Sequence, residues 1–512
     1  MRLVLGQDKQ GPLFSGAIVV AALILLGLTV FTSDRLRTVG PLLALGVALA
    51  VTHRTLFQWR SLIALILCVI LYIPMGRYSL PASLPVNLEP YRLVVLFVAI
   101  GWVTSMLIDP RVRFSHTPID LPLILFGLIA LASDVVNRSR VDSVQSEVVK
   151  RLLFFLSFFV VTYLTASVVR RFKDVDFLTR VLVGGGAILA VFAVIERNTG
   201  FDIFNHLQTV VPFLHLDATQ IPHLHRGGRL RVYASAQHPI ALGAALAMLA
   251  PFAVYLAWYH RRWRWWAAAA LLVVGSLATG SRTGAVMFGV TVLTFIWLRP
   301  RQTRRLWPAL IPALLLIHLA APGALGTMRA AFFPQGGIIA QQSKGAVGSG
   351  RLSTLGPALQ REFIPNPLLG EGFGTRVTTK TPTVAVPNGP VLDDQWLGIL
   401  LETGIAGALA LLWIFVRLIR RLAVEAHEDE SPRSWFLTAA IASIAGFAVS
   451  MLFYDAFSFI QVTFLLFIVM GLSSSALLAT EPARLLRLSG PVGARTSRLL
   501  PPPNAQPEGQ PG

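Results

Sequence analysis

Long apolar runs separated by short charged segments dominate the pattern of the chain. Most runs approach the roughly 20 residues with which a helix crosses a bilayer. They predict fourteen spans: 12–32, 39–51, 60–76, 92–108, 119–133, 151–169, 178–195, 238–259, 265–279, 283–298, 306–321, 396–416, 434–453 and 456–479. The run at 39–51 is short, and Pro118 and Pro122 flank the start of 119–133, so twelve or thirteen spans also fit. We therefore predict an all-α integral membrane protein, a polytopic helical bundle of about 12 to 14 spans.

The composition excludes a water-soluble protein. Of the 512 residues, 54% are hydrophobic and 13% are charged, whereas an ordinary soluble domain carries about 25% charged residues. The mean hydropathy of +0.65 is too high for one globular core to hide the apolar side chains, so many of them must face lipid. The only cysteine, Cys68, lies in an apolar run, which excludes a disulfide within the chain.

The charge is strongly basic, with 44 Lys and Arg against 25 Asp and Glu and a net charge of +19. Such a balance can indicate nucleic acid binding, but here the cations are scattered through short loops between apolar runs, and we predict no nucleic acid partner. Short basic loops face the cytoplasm. The compact clusters at 261–264, 299–305 and 417–421 therefore predict a multi-pass protein of the inner or plasma membrane, with both termini cytoplasmic.

Two long loops, 196–237 and 322–395, fall on the predicted external face, and the larger one should carry short helices. In RLSTLGPALQREF (351–363), apolar residues recur at three- and four-residue spacing. This predicts a short amphipathic helix, either on the membrane surface or packed within the loop. The predicted organisation is an N-terminal bundle (1–175), central spans with the first external loop (176–321), the large external loop (322–395), C-terminal spans (396–480) and a disordered cytoplasmic tail (481–512).

Two arginine-bearing motifs on the external side are candidates for anion binding. ATGSRTGAVMFG (278–289) places Arg282 at the membrane boundary between two glycines, and a guanidinium matches phosphate oxygens well. RGGRLRVYASAQHPIALGAAL (226–246) brings Arg226, Arg229 and Arg231 to the start of the next span. Each arginine alone could be an ordinary loop residue or a snorkelling cation. Together they favour an anionic headgroup.

Acidic residues precede a later span. Asp393 and Asp394 stand just before the run at 396–416, where they could cap the helix or act as a carboxylate base toward a hydroxyl. Glu402 follows about 12 to 14 Å deeper at helical rise, which favours a structural hydrogen bond. The loop histidines His206, His215, His223 and His225 are weak evidence for zinc. We predict no metal and no cofactor, because no nucleotide-binding or zinc-protease motif is present.

Four motifs in order resemble the O-antigen ligase and polymerase superfamily of integral membrane glycosyltransferases. They are RLRVYASAQHPIALG (229–243), TGSRTGAVMFGVTVLTFI (279–296), NPLLGEGFG (366–374) and DDQWLGILLETGIAG (393–407). The resemblance covers roughly residues 180–475. It implies transfer of a polyprenyl-diphosphate-linked glycan to a hydroxyl of a glycan or lipid acceptor on the external face. Membrane lipids are further partners.

The resemblance also implies roles for individual residues. Arg282 and Arg231 correspond to the arginines that hold the donor diphosphate, with Arg229 as an alternative alignment to Arg231. Ligases of the superfamily typically carry His and then Asn where Asp393 and Asp394 stand here. The base would therefore be a carboxylate, as in members that resemble polymerases, and the acceptor stays open.

Two other functions fit parts of the pattern. A transporter or flippase of glycan lipids would also use arginines near headgroups, but it should carry charged residues on both faces of a midplane cavity and two related halves. A peptidoglycan glycosyltransferase of the shape, elongation, division and sporulation type is likewise polytopic with a catalytic Asp. The NPLLGEGFG motif and the spacing in DDQWLGILLETG argue against it.

Overall fold

A computed structural model describes residues 58–79, 89–110, 112–212, 214–217, 225–226, 229–309, 351–376, 393–427 and 430–479, with isolated positions between 315 and 333. Within these residues the chain is mostly helical and has four strands of two residues each. The expected spans 12–32 and 39–51, much of 306–321, the tail 481–512 and both termini lie outside the described residues.

The helices follow the apolar runs of the sequence. Those before residue 200 are α1 (Trp59–Tyr72), α2 (Pro90–Ile108), α3 (Asp120–Val136), α4 (Arg138–Ser143), α5 (Gln145–Val168) and α6 (Phe172–Thr199). Those after it are α7 (Leu207–Val210), α8 (Pro239–His260), α9 (Trp263–Ala278), α10 (Arg282–Leu298), α11 (Pro300–Leu306), α12 (Arg351–Ala358), α13 (Gln395–His427), α14 (Pro432–Ser450) and α15 (Ile460–Leu478). The strands form two antiparallel pairs, β1 (Tyr78–Ser79) with β2 (His215–Leu216), and β3 (His225–Arg226) with β4 (Arg229–Leu230).

Seven of these helices are long and apolar enough to cross a membrane, namely α2, α5, α6, α8, α13, α14 and α15. Three shorter apolar helices, α1, α9 and α10, lie among them. The described part of the chain is thus that of an all-α membrane protein. The expected total of about 12 to 14 spans stays a prediction.

Burial distinguishes central helices from peripheral ones. The apolar window of α15 is 94% buried and that of α8 is 89% buried, whereas that of α2 is only 22% buried. On α2, Leu107 and Ile108 are 82% and 71% exposed. Large apolar side chains exposed along a helix are costly in water and favourable in lipid, so α2 is suited to the bundle periphery.

Small residues let α8, α9 and α10 approach closely. A Cβ atom on Gly284 would lie 2.3 Å from Ser276 Oγ, and one on Gly243 would lie 2.9 Å from Thr279 Oγ1. Gly284, near the predicted site residue Arg282, thus gives room for helix packing, as small residues commonly do between membrane helices.

Contacts between loops define two ends of the bundle. At the first, Gly76 N donates to Glu89 Oε2 (2.7 Å), and Arg197 donates to the Ala278 carbonyl (2.7 Å). We call this end the site end, because all the predicted site residues belong to segments that meet there. At the opposite end, Arg299 donates to the Ala426 carbonyl (3.0 Å), and the three compact basic clusters lie in segments at that end.

The expected span 396–416 is not one straight helix. Within α13, Gly404 has non-helical backbone angles (φ 65°, ψ −168°). A continuous helix would separate Trp396 from Phe415 by about 28 Å, beyond the reach of their side chains, yet their ring centroids are 6.0 Å apart. The chain therefore turns back sharply at Gly404, and the segment before the break lies beside the segment after it.

The NPLLGEGFG loop (366–374) fills this break through its backbone. Two loop amides donate to the last carbonyls before the break, and two amides after the break donate to loop carbonyls. These bonds join Glu371 N to Leu401 O (2.9 Å), Gly372 N to Glu402 O (3.1 Å), Ile405 N to Pro367 O (2.9 Å) and Ala406 N to Leu368 O (3.3 Å). Groups that a helix break leaves without helical partners are thus satisfied by protein. Gly370 of the loop and Gly404 at the break have positive φ angles and no room for a Cβ atom, which is a structural reason for a glycine at each position.

A short helix within 351–363, as predicted, is confirmed as α12, and it is followed by a π-helical turn, Leu359–Phe363. Leu359 and Phe363 pack against Leu397 and Leu401 at the start of α13. This contact favours the packed loop helix over a helix that lies on the membrane surface.

Candidate functional site

Arg231 lies against the turn that precedes Arg282. Its side chain is buried, and Nε donates to the Thr279 carbonyl (3.3 Å). Arg282 is half-buried and begins α10, with Ser281 at the N-cap. The two predicted anion-binding arginines therefore belong to adjoining segments at the site end. The N-terminus of α10 adds a positive end of a helix dipole there.

Hydrogen bonds hold this turn in place. Thr279 Oγ1 donates to the Ser276 carbonyl (2.7 Å) and accepts from Ser281 N (3.2 Å). Ser276 Oγ in turn donates to the Gly243 carbonyl of α8 (2.8 Å). The start of α10 is therefore tied to α8 and α9, which limits the positions open to Arg282.

A network that the sequence did not reveal anchors the segment around Arg231. Glu196 accepts from the amides of Tyr233 (3.3 Å) and Ala234 (2.9 Å). Ala234 has a φ of 42°, a left-handed conformation that costs energy for a residue with a Cβ atom. The Glu196 carboxylate therefore holds a strained stretch of backbone three residues after Arg231.

Arg77 fixes the same segment from another side. It forms a buried ion pair with Asp202 (3.0 Å) and donates to the Ala236 carbonyl, and its guanidinium lies 4.7 Å from the centre of the Tyr233 ring. Burial raises the pKa of Asp202, although the Arg77 charge acts in the opposite direction. Burial also raises the pKa of Tyr233 to about 12. The only sign of this role in the sequence is that Arg77 directly follows the apolar run 60–76.

The alternative alignment through Arg229 stays a prediction. Arg229 begins strand β4 and pairs with Arg226 of β3. Its side chain lies outside the described atoms.

The two aspartates of the DDQW motif have different surroundings. Asp394 Oδ1 accepts from Leu397 N (3.1 Å) at the start of α13, so the helix-capping interpretation applies to Asp394. Asp393 is half-buried and lies near Asp455, in the turn between α14 and α15. Burial and the Asp393 charge raise the pKa of Asp455, while Arg151 and Arg376 lower it.

The turn 451–460 links the segments that carry Arg231 and Asp393. Gln395 N donates to the Met451 carbonyl (2.8 Å), and Gln395 Oε1 accepts from Phe457 N (2.7 Å). At the other side of the turn, Ile460 N donates to Gln237 Oε1 (2.9 Å). The His238 ring also stacks on Phe459 with centroids 5.6 Å apart. These contacts connect Asp393 to the segment of Arg231 through one turn.

A second group of charges surrounds the helix break. Arg151 pairs with the buried Glu402 (2.9 Å) and donates to the Arg376 carbonyl (2.9 Å). The expected structural role of Glu402 agrees with this pairing. Arg376 pairs with Glu362, and burial lowers the pKa of Arg376 to about 10.

Sequence reasoning missed Arg151, Arg376 and Asp455. Arg151 begins the apolar run 151–169 and Arg376 lies in the large loop 322–395, and neither position distinguished them from other arginines. Asp455 had a visible signal, since it stands alone between the runs 434–453 and 456–479. An acidic residue isolated between two apolar runs is costly without a partner.

Metal binding receives no support within the described residues, where no group of three or more His, Cys, Asp or Glu side chains could hold an ion. The predicted loop histidine His223 lies outside these residues.

Comparison with known proteins does not assign the chain to a family. No family model matches it, and no curated protein has a detectably similar sequence. The functional conclusion must therefore come from the residues themselves.

Proposed function

We propose that the chain is a membrane glycosyltransferase that moves a polyprenyl-diphosphate-linked glycan onto an acceptor hydroxyl, as in O-antigen ligases and polymerases. The contact between Arg231 and Thr279 carries the proposal, because it brings one predicted arginine to the turn before the other. The basic clusters lie at the opposite end of the bundle. The positive-inside tendency then makes the site end external, where lipid-linked glycans are assembled into surface polymers.

In the proposed reaction, a carboxylate takes the proton of the acceptor hydroxyl. The acceptor oxygen then forms a bond to the anomeric carbon, and the bond from that carbon to the diphosphate breaks. Arg231 and Arg282 stabilise the negative charge of the departing polyprenyl diphosphate. One displacement of this kind inverts the anomeric centre. Asp393 and Asp455 are the candidate bases, because the turn 451–460 joins the segment of Asp393 to that of Arg231. Asp394 instead caps α13.

Transport of the same glycan lipids is the second candidate. Broken helices in transporters often leave half-helix ends facing a substrate. At Gly404, the amides and carbonyls beside the break are hydrogen-bonded to the NPLLGEGFG loop. This use of the break as a structural joint supports transfer rather than transport.

Deletion of the gene tests the proposed function. Loss of long surface glycans with single repeats retained would indicate a polymerase, and accumulation of full-length lipid-linked chains would indicate a ligase. Unprocessed lipid-linked repeats trapped on the cytoplasmic leaflet would instead indicate a flippase. Unchanged surface and lipid-linked glycans would contradict the proposal.

The pH dependence of transfer should identify the base. A carboxylate acts as a base only when ionised, so activity should fall as the pH decreases through its pKa. For Asp455, this loss should begin above the pH of an ordinary carboxyl group, because its pKa is raised. If Asp455 is the base, Asp393→Asn should retain activity and shift the acid limb to lower pH, since a like charge is removed. If Asp393 is the base, Asp393→Asn should abolish transfer.

The control for this experiment is Asp394→Asn, because asparagine is also a good N-cap residue. It should keep the wild-type pH profile of transfer in reconstituted protein. Full activity with an unchanged acid limb in both Asp393→Asn and Asp455→Asn would exclude both residues as the base.

A further inference from the structure

A basic groove lies on α13 at the end of the bundle opposite to the proposed transfer site. It has a volume of about 610 Å³ and is lined by Pro118, Trp413 and the three arginines Arg417, Arg420 and Arg421. Pro118 lies two residues before α3, so the groove lies where α3 and α13 meet. The mechanism proposed above uses none of these residues.

The groove carries an excess of positive charge. Among the described residues, no carboxylate lies within salt-bridge distance of Arg417 or Arg420. Arg421 lies 4.0 Å from Glu425, but the Glu425 carboxylate also accepts from Arg433 at 3.2 Å. An anionic group is therefore the complementary occupant of the groove.

An apolar surface adjoins the arginines on the same helix face. Leu409 and Leu412 are 59% and 45% exposed, and Trp413 follows them directly. The guanidinium of Arg417 lies 5.6 Å from the centre of the Trp413 ring. Exposed leucines, then a tryptophan, then arginines form the order that a helix presents from hydrocarbon through the interface to the headgroups.

We propose that this groove binds an anionic phospholipid. The phosphate lies among Arg417, Arg420 and Arg421, and the acyl chains run along Leu409 and Leu412. A soluble phosphate compound would contact only the basic half of this surface, so the adjoining leucines favour a lipid of the membrane. The basic character of this end makes the lipid one of the cytoplasmic leaflet.

The test measures which lipids remain with the purified full-length chain. Protein reconstituted in equal amounts of phosphatidylglycerol and phosphatidylcholine with identical acyl chains is extracted, and retained lipid is quantified by mass spectrometry. The wild type should retain phosphatidylglycerol preferentially. In the triple variant R417Q/R420Q/R421Q, the ratio of retained phosphatidylglycerol to phosphatidylcholine should fall by at least about tenfold. Each basic side chain near an anionic surface contributes about fivefold to such a preference.

The chain offers a matched control at the same end of the bundle. Arg301, Arg304 and Arg305 of α11 are exposed and do not line the groove. The variant R301Q/R304Q/R305Q removes the same charge and should keep the wild-type lipid preference. An equal loss in both triple variants would overturn the proposal, since it would show only a general attraction to the surface.

Two further measurements keep the result decisive. The variant R417K/R420K/R421K preserves the charge and should keep the preference, even if the glutamine variant folds poorly. Glycerol 3-phosphate should fail to displace the bound lipid, whereas displacement at equal concentration would identify a soluble phosphate as the occupant and contradict the proposal. None of these measurements depends on glycan transfer, so they can fail independently of the proposed function.

Discussion

Replacing Arg282 by alanine is expected to reduce glycan transfer by at least about 100-fold, because one preorganised group that stabilises developing negative charge contributes about that much. Arg282 begins α10 and is held by a hydrogen-bonded turn that includes Thr279 and Ser281. The backbone from which the guanidinium extends is therefore fixed before a diphosphate binds. The measurement is transfer from a lipid-linked donor by reconstituted protein, with membrane levels determined in parallel.

The control is Arg138→Ala. Arg138 begins α4 at the site end, and its side chain is 85% exposed with a loose pairing to Asp142 (3.8 Å). Arg138→Ala removes a positive charge from this face without changing the proposed site, so it should transfer at the wild-type rate. If Arg282→Ala also transferred at the wild-type rate, Arg282 would be excluded from the mechanism.

The losses of transfer activity on replacing Arg231 and Arg282 should not be independent of each other. If both arginines contact one diphosphate, the double variant Arg231→Ala/Arg282→Ala should lose less activity than the product of the two single losses. Arginines that act at separate places would give multiplicative losses. Arg282→Lys should recover only part of the activity, since an ammonium group cannot form the paired bonds of a guanidinium.

The helical architecture was accessible from the sequence because its signal is local. An apolar run of span length predicts a helix without knowledge of its neighbours. The run at 434–453, for example, corresponds closely to α14 (Pro432–Ser450). The capping role of Asp394 was likewise one of two open interpretations, since it depends on a residue three positions along the chain.

The remaining site features were hidden because their partners are distant in sequence. Arg151 and Glu402 are separated by 251 positions, and Ser133 donates to the Glu402 carbonyl across 269 positions. Hydrophobic periodicity carries no information about such pairs. The break at Gly404 was missed for a related reason, because apolar residues resume directly after Glu402, Thr403 and Gly404 and make the run look like one span.

That break leads to the second large effect, a loss of stability in Gly404→Ala. A Cβ atom on Gly404 would lie 2.2 Å from the Leu368 carbonyl oxygen, and the residue has a φ of +65°. Both the backbone strain and the collision with the loop backbone oppose the substitution. Each such effect costs about 1 to 3 kcal/mol. We therefore expect the free energy of unfolding to fall by about 3 kcal/mol or more, measured by denaturant unfolding in detergent.

Gly370→Ala tests the loop side of the same joint. Its Cβ atom would lie 2.5 Å from the Leu401 carbonyl oxygen, and Gly370 has a φ of +68°. Because both glycines serve one interlocked contact, the double variant should be less destabilised than the sum of the single variants. Additive losses would show that the loop and the helix break are not energetically coupled.

The matched control lies on the same helix. At Gly398 the nearest atom to an added Cβ is Gln395 Nε2 at 3.9 Å, and alanine favours a helix over glycine by about 1 kcal/mol. Gly398→Ala should therefore be as stable as the wild type or slightly more stable. If Gly404→Ala behaved in the same way, the joint between α13 and the NPLLGEGFG loop would not be required for folding. The positioning of Glu402 against Arg151 would then need another cause.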